Sequence, residues 1–178
     1  MKLCNSLILL VIIVGLAGCA GTPREVDPVT GFQVDRYAGK WYEIARLDHP
    51  FERGLSNVTA HYSLRKDGDI RVINRGYNTS EGRWKEAEGR AKFIAGPDVG
   101  SLGVSFFGPF YSGYNIIDLD RGAYRYALVA GNDRDYLWIL SRSPELDTDV
   151  KARLLEKAES LGFAVDELIF VPHDRRNS

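Results

Sequence analysis

Three histidines, His49, His61 and His173, are the side chains of this 178-residue chain best suited to acid–base or metal chemistry, and their spacing supports neither. Both cysteines, Cys4 and Cys19, lie at the N-terminus, so no thiolate stands near a histidine to complete a zinc set or a nucleophile–base pair. His61 falls on the polar face of an alternating segment and His49 sits beside Pro50 in a loop, both positions that read as surface. Asp133 and Asp135, like Asp147 and Asp149, make D-x-D pairs without the further ligands of a calcium loop; they read as turn and helix-start acids. There is no G-x-S-x-G elbow and no glycine-rich phosphate loop. No catalytic residue, metal or cofactor is therefore expected. Arg53, Arg75 and Arg83 could meet a phosphate or carboxylate, although a solvated surface role is the simpler reading of each. With 23 Lys and Arg against 24 Asp and Glu and no basic block, nucleic acid is a poor partner.

One residue does have chemistry written into its position. Lys2 precedes an apolar run from Leu7 to Leu16, shorter than the roughly 20 residues a spanning helix needs, and the run ends in Ala17-Gly18-Cys19. This resembles a bacterial lipobox, which implies that residues 1–18 are a signal peptide and that Cys19 becomes an acylated N-terminus. An ordinary secretory leader with a chance cysteine is the alternative. Two or more acyl chains, at about 0.8 kcal/mol per buried methylene, hold a protein persistently on a bilayer. Ala20 stands where an Asp would resemble an inner-membrane retention signal, which implies export to the outer membrane, facing the periplasm. Loss of the leader leaves no possible disulfide, so stability must come from the core. Residues 19–32, with Gly21, Pro23, Pro28 and Gly31, read as a flexible tether.

The elements that follow are short and alternating. Val58, Ala60, Tyr62 and Leu64 share one face of a strand and Thr59, His61, Ser63 and Arg65 the other; Lys66-Asp67-Gly68-Asp69 then turns the chain into a second strand. The pattern continues, with strands expected near 40–47, 57–65, 70–78, 83–94, 101–107, 112–119, 123–130 and 135–142. Eight such strands suggest an all-β, up-and-down antiparallel barrel, with a two-sheet sandwich still open on pattern alone. Val150, Leu154, Leu155, Ala158 and Leu161 recur at helical spacing, with Asp147 or Thr148 as cap and Gly162 as stop. Leu168 to Val171 supplies a last short strand. The roughly 160 residues after the leader suit one domain, over 33–173, with a polar tail at 174–178.

The run Gly39-Lys40-Trp41-Tyr42-Glu43-Ile44-Ala45-Arg46 resembles the opening strand of a lipocalin. Tyr136-Leu137-Trp138-Ile139-Leu140-Ser141-Arg142 is similar to the family's eighth strand, and Asp120 and Tyr124 partly match its middle motif, with one residue too many between them and no threonine. Phe51 to Leu55, Val104 to Phe110 and Asp133 to Leu140 resemble the bacterial outer-membrane lipoprotein lipocalins of the Blc type. The resemblance spans about residues 34–172. It implies an eight-stranded barrel with one C-terminal helix packed outside, a floor plugged by Trp41 beside Gly39, and Arg142 stacked on that indole, a contact of about 1–2 kcal/mol when desolvated.

With Trp41 and Arg142 at the closed end, the loops near 48–56, 78–83, 107–113 and 131–135 surround the open mouth. They carry Phe51, Phe107, Phe110 and Tyr111, which could pack on the rim, fold in as a lid, meet a second copy in a homodimer, or touch a membrane. Alternation places Val58, Ala60, Tyr62, Val72 and Asn74 on the lumen side. Phe93, Leu102, Val104, Phe106, Tyr111 and Trp138 are assigned to the lumen in the same way. Such a pocket suits a fatty acid or lysophospholipid whose polar head stays near the mouth. A carrier of these lipids is the expected function. A lipid-processing enzyme using a buried acid and a histidine, or a structural lipoprotein with a filled lumen, are the alternatives.

Overall fold

The computed structural model describes residues 26–175. The expected signal peptide and Cys19, within residues 1–25, and residues 176–178 lie outside them. A short helix, α1 (Val34–Tyr37), leads into eight strands: β1 (Gly39–Arg46), β2 (Leu55–Leu64), β3 (Ile70–Asn78), β4 (Arg83–Phe93), β5 (Ser101–Ser105), β6 (Ser112–Leu119), β7 (Tyr126–Ala130) and β8 (Leu137–Ser141). Helix α2 (Thr148–Ser160) and the two-residue strand β9 (Ile169–Phe170) follow. Each strand pairs antiparallel with the next, and β1 pairs with both β8 and β2, so the sheet closes on itself. That closure excludes the sandwich.

Strand β1 changes partner along its length. Gly39–Tyr42 pair with Tyr62–Thr59 of β2, whereas Ala45 and Arg46 pair with Phe170 and Ile169 of β9. The handover coincides with a register shift on the β8 side between Glu43 and Ala45. A bulge of this kind turns two consecutive residues to one face. Here Ile44 and Ala45 both pack outward, and Glu43 and Arg46, three apart, both face inward opposite Leu140 and Trp138.

Alternation divides the apolar residues into two cores. Trp41, Tyr62, Val72, Leu102, Ile116 and Val129 pack inside the closed half of the barrel. Ile44, Leu128 and Ile139 meet Leu154, Ala158 and Phe163 between the outer wall and α2. Asp147 caps α2 by accepting from Asp149 N at 2.9 Å and Val150 N at 3.4 Å, and Gly162 ends it at φ +81°. Lys157 Nζ donates to Ile117 O and Asp118 Oδ2, both at 2.9 Å, and pins the helix to β6.

Two expectations are corrected at the ends of the domain. The stretch expected to be tether is folded from residue 26 onward: Val26 and Phe32 are buried, and Val29 N donates to Ile116 O while Gly100 N donates to Val29 O, each at 2.8 Å. A Cβ on Gly100 would lie 2.8 Å from Val29 Cγ2, so the glycine makes room for the segment. Reading Pro28 and Gly31 as linker overlooked Val26, Val29 and Phe32, whose apolar surface finds cover on the wall. At the other end Asp174 and Arg175 are not free tail, because the Asn57 side chain donates to Asp174 Oδ1 at 3.0 Å and accepts from Arg175 N at 2.9 Å.

Candidate functional site: a lumen open at one end

The closed end is built around Trp41, fully buried, whose Nε1 donates to Tyr37 O at 2.8 Å. The Arg142 guanidinium lies 3.9 Å from the indole centroid and donates to the carbonyls of Arg36, Tyr37, Ala38, Lys40 and Tyr124. One cation thereby satisfies the C-terminal carbonyls of α1 and ties them to β1 and to the turn before β7. Gly39 sits at φ +97°, and a Cβ there would come within 3.3 Å of Arg142 Nη1. In the middle motif Asp120 accepts from Gly122 N, Arg125 N and Arg125 Nε, and Tyr124 takes a left-handed conformation, φ 54°. That turn absorbs the additional residue. Tyr124 Oη then receives Gln33 N at 3.1 Å.

Above this plug lies a cavity of about 880 Å³. Val58, Ala60, Tyr62, Val72, Asn74, Val104, Phe106 and Trp138 line it. Three residues expected there are elsewhere. Phe93 and Leu102 pair across β4 and β5 and point inward, but at the closed end, where Phe93 meets Phe32 with ring centroids 6.5 Å apart. Their face is right and their depth is not, because Phe32, from the segment read as tether, fills that half. Tyr111 precedes β6 on the outer wall, over Gly103 and under Lys92 Nζ, 4.0 Å from the ring centroid.

Four ionisable side chains that strand alternation did not assign to the lumen are buried in its wall. Arg46 Nη1 donates to Glu43 Oε1 at 2.6 Å, and Arg46 Nη2 to Glu52 O and Leu55 O. Glu52 Oε2 accepts from Trp138 Nε1 at 3.1 Å and lies 2.9 Å from His49 Nε2. His49 is buried, contrary to its reading as a surface loop residue, because the loop folds back over the barrel edge. Burial and the adjacent Glu52 push Glu43 well above the usual carboxylate range, against the pull of Arg46. For Glu52 burial acts in the same direction, but His49, Trp138 and a hydrogen bond from Glu43 outweigh it and hold its carboxyl below the usual range. The two carboxyls are thereby pushed apart, Glu43 toward its neutral form and Glu52 toward its charged form. Only the bulge in β1 makes this arrangement possible, since Glu43 and Arg46 fall on opposite faces of a regular strand.

Three phenylalanines stand at the mouth: Phe51 is 70 % exposed, Phe107 76 % and Phe110 81 %. Of the three arginines considered for a polar head, Arg53 is paired with Asp48 at 2.7 Å, Arg83 with Glu81 at 2.7 Å, and Arg75 lies over Trp84 at 4.5 Å while lining the cavity. His61 is exposed and His173 Nε2 bonds Glu43 O at 2.8 Å. Among the described residues no group of histidines and carboxylates could hold a metal ion.

The sequence that builds this plug, lumen and outer helix matches the family model of the lipocalin-like domain over residues 32–173. The chain is a lipocalin. It is 50 % identical over 167 residues to the outer membrane lipoprotein Blc of Vibrio cholerae, covering 94 % of this chain and 98 % of that one. It is 57 % identical over 149 residues to the outer membrane lipoprotein Blc of Escherichia coli K12, covering 84 % of each. Among solved structures, insecticyanin from the tobacco hornworm superposes on this lipocalin with a TM-score of 0.68 at 21 % identity, over 86 % of this chain and 87 % of that one, a likeness of fold.

Proposed function

We propose that this lipocalin binds and carries lipids, fatty acids and lysophospholipids in particular, while anchored through Cys19 to the outer membrane and facing the periplasm. The observation that carries the reading is the open cavity of about 880 Å³, lined mainly by apolar surface and with Phe51, Phe107 and Phe110 at its mouth. Each methylene moved into such a lumen contributes about 0.8 kcal/mol, offset by lost rotamers and translational freedom. The names of the two bacterial relatives support the location. A filled, purely structural barrel is disfavoured by the cavity itself. The lipid-processing enzyme has one observation in its favour, His49 Nε2 standing 2.9 Å from the buried Glu52 carboxyl, and turnover of a bound lipid is what separates it from a carrier.

Calorimetric titration of the soluble domain with saturated fatty acids and lysophospholipids of increasing length tests the reading. Affinity should rise with chain length until the lumen is filled. Trp138 lines the lumen, so its fluorescence should respond and the response should shrink in Trp138→Phe. Affinity that is flat across the series overturns the carrier, and turnover of a bound lipid would favour the enzyme instead.

A further inference from the structure

The bottom of the cavity is polar. Tyr62 Oη donates to Tyr114 Oη at 2.8 Å, and Tyr114 Oη lies 2.6 Å from Tyr37 Oη. Tyr62 and Tyr114 line the cavity, whereas Tyr37 is buried beneath them against Trp41, ring centroids 4.7 Å apart. Three phenols carry three hydroxyl hydrogens, and two oxygen–oxygen contacts use only two. If both outer phenols donate to Tyr114, the third hydrogen sits on Tyr114 and faces the lumen. The other arrangement leaves it on Tyr37, which is 1 % exposed, as an orphaned buried donor, which is the costlier choice. Acceptors are also left over. Among the described residues Tyr62 Oη accepts from no side chain, and Asn74 Oδ1, one pleat nearer the mouth on the neighbouring strand, has no hydrogen-bond partner.

We propose that this floor is a second polar subsite of the lumen, which takes a neutral hydroxyl at the buried end of an otherwise apolar ligand, such as the terminal hydroxyl of an ω-hydroxylated acyl chain. The inference rests on the lumen being a lipid site. A hydroxyl accepts one hydrogen bond and donates another, which matches a spare phenol hydrogen beside a spare acceptor. A carboxylate does not fit. Arg142, the cation that acts on Tyr37 and Tyr62, is committed to five carbonyls at the closed end, and the Glu43 and Glu52 carboxyls act on Tyr62 with the opposite sign. A second negative charge there would be buried without a counter-ion.

The test compares hexadecanoic acid with its ω-hydroxy derivative by calorimetric titration, first on the parent and then on Tyr114→Phe. On an apolar floor the added hydroxyl would lose its water without replacement and weaken binding about ten-fold or more. The subsite predicts instead that the parent binds the hydroxylated acid at least as tightly as the plain one. It also predicts that Tyr114→Phe weakens the hydroxylated acid about ten-fold while changing the plain acid by less than about two-fold. The comparison on the parent stands even if the variant does not fold. Plain acid binding with the hydroxylated acid about ten-fold weaker overturns the subsite and leaves the carrier reading intact. Equal effects of Tyr114→Phe on both acids, as expected for a floor that orders only water, also overturn it. If neither acid binds, the subsite and the carrier reading fall together.

Discussion

Arg46 donates to the Glu43 carboxyl and to the backbone carbonyls of Glu52 and Leu55, and its removal leaves all three without that partner. Arg46→Ala should cost about 3–5 kcal/mol, the range for breaking a buried ion pair from one side, measured by urea unfolding. Glu43→Gln should cost much less, about 1 kcal/mol or under at acid pH, because the amide keeps an acceptor for Arg46 and a donor for Glu52. The pH dependence separates the two residues. Glu43 is raised in the fold, so its contribution is fully present below the ordinary glutamate range and is lost as pH climbs through the raised value. Glu52 is lowered, so its contribution is present above the ordinary range and is lost as pH falls through the lowered value. Glu43→Gln should abolish the alkaline-side decline and keep the acid-side one. An unchanged profile would mean that Glu43 is not raised in the fold.

At the scale of elements, the segment from Val26 to Phe32 belongs to the barrel. It runs along the wall toward the closed end, bonded to Ile116, Gly100 and Asp98 in turn, and delivers Phe32 into the interior beside Tyr37, ring centroids 5.3 Å apart. A chain beginning at residue 33 would leave Gly100 N, Ile116 O and Asp98 O without these partners and would leave a void where the Phe32 ring packs. Burying an aromatic of this size contributes about 3–5 kcal/mol, so a domain starting at residue 33 should be less stable than one starting at residue 26 by at least that amount. Thermal unfolding of the two forms decides it. Equal stability would make the segment a strap without structural weight. Helix α2 contributes differently. It covers the outer wall with Leu154 and Ala158, fully buried, and leaves the lumen untouched.

For the whole molecule, the question is what holds the barrel at a membrane. The proposed anchor, Cys19, precedes Val26 by about seven residues, which at roughly 3.5 Å each reach at most about 25 Å. Replacing Cys19 with Ala should release a folded protein, because the interior core and the α2 core are complete without it. Fractionation checks this: the variant should appear in the soluble periplasmic fraction with an unchanged unfolding temperature. A variant that floats with outer membranes as completely as the parent would overturn the anchor.

What the sequence determined by itself was local: the face each strand presents, the start and stop of α2, and the residue types of the plug, Gly39, Trp41 and Arg142, that mark the family. Period-two alternation and helix capping act over a few residues, so they survive without the fold. Depth along the barrel does not. Phe93 and Leu102 face inward yet fill the closed end, because what lies above or below them depends on strands far away in the chain and on Phe32. The bulge in β1 is likewise a property of pairing with β8, and it alone sends both Glu43 and Arg46 inward and gives His49 and Glu52 something to fold over. The tyrosine floor joins α1, β2 and β6 through hydroxyls 52 and 77 residues apart. Hydrogen bonds over such separations are made by closure of the barrel, which brings strands with no local tie into one small polar volume; this only the tertiary structure could decide.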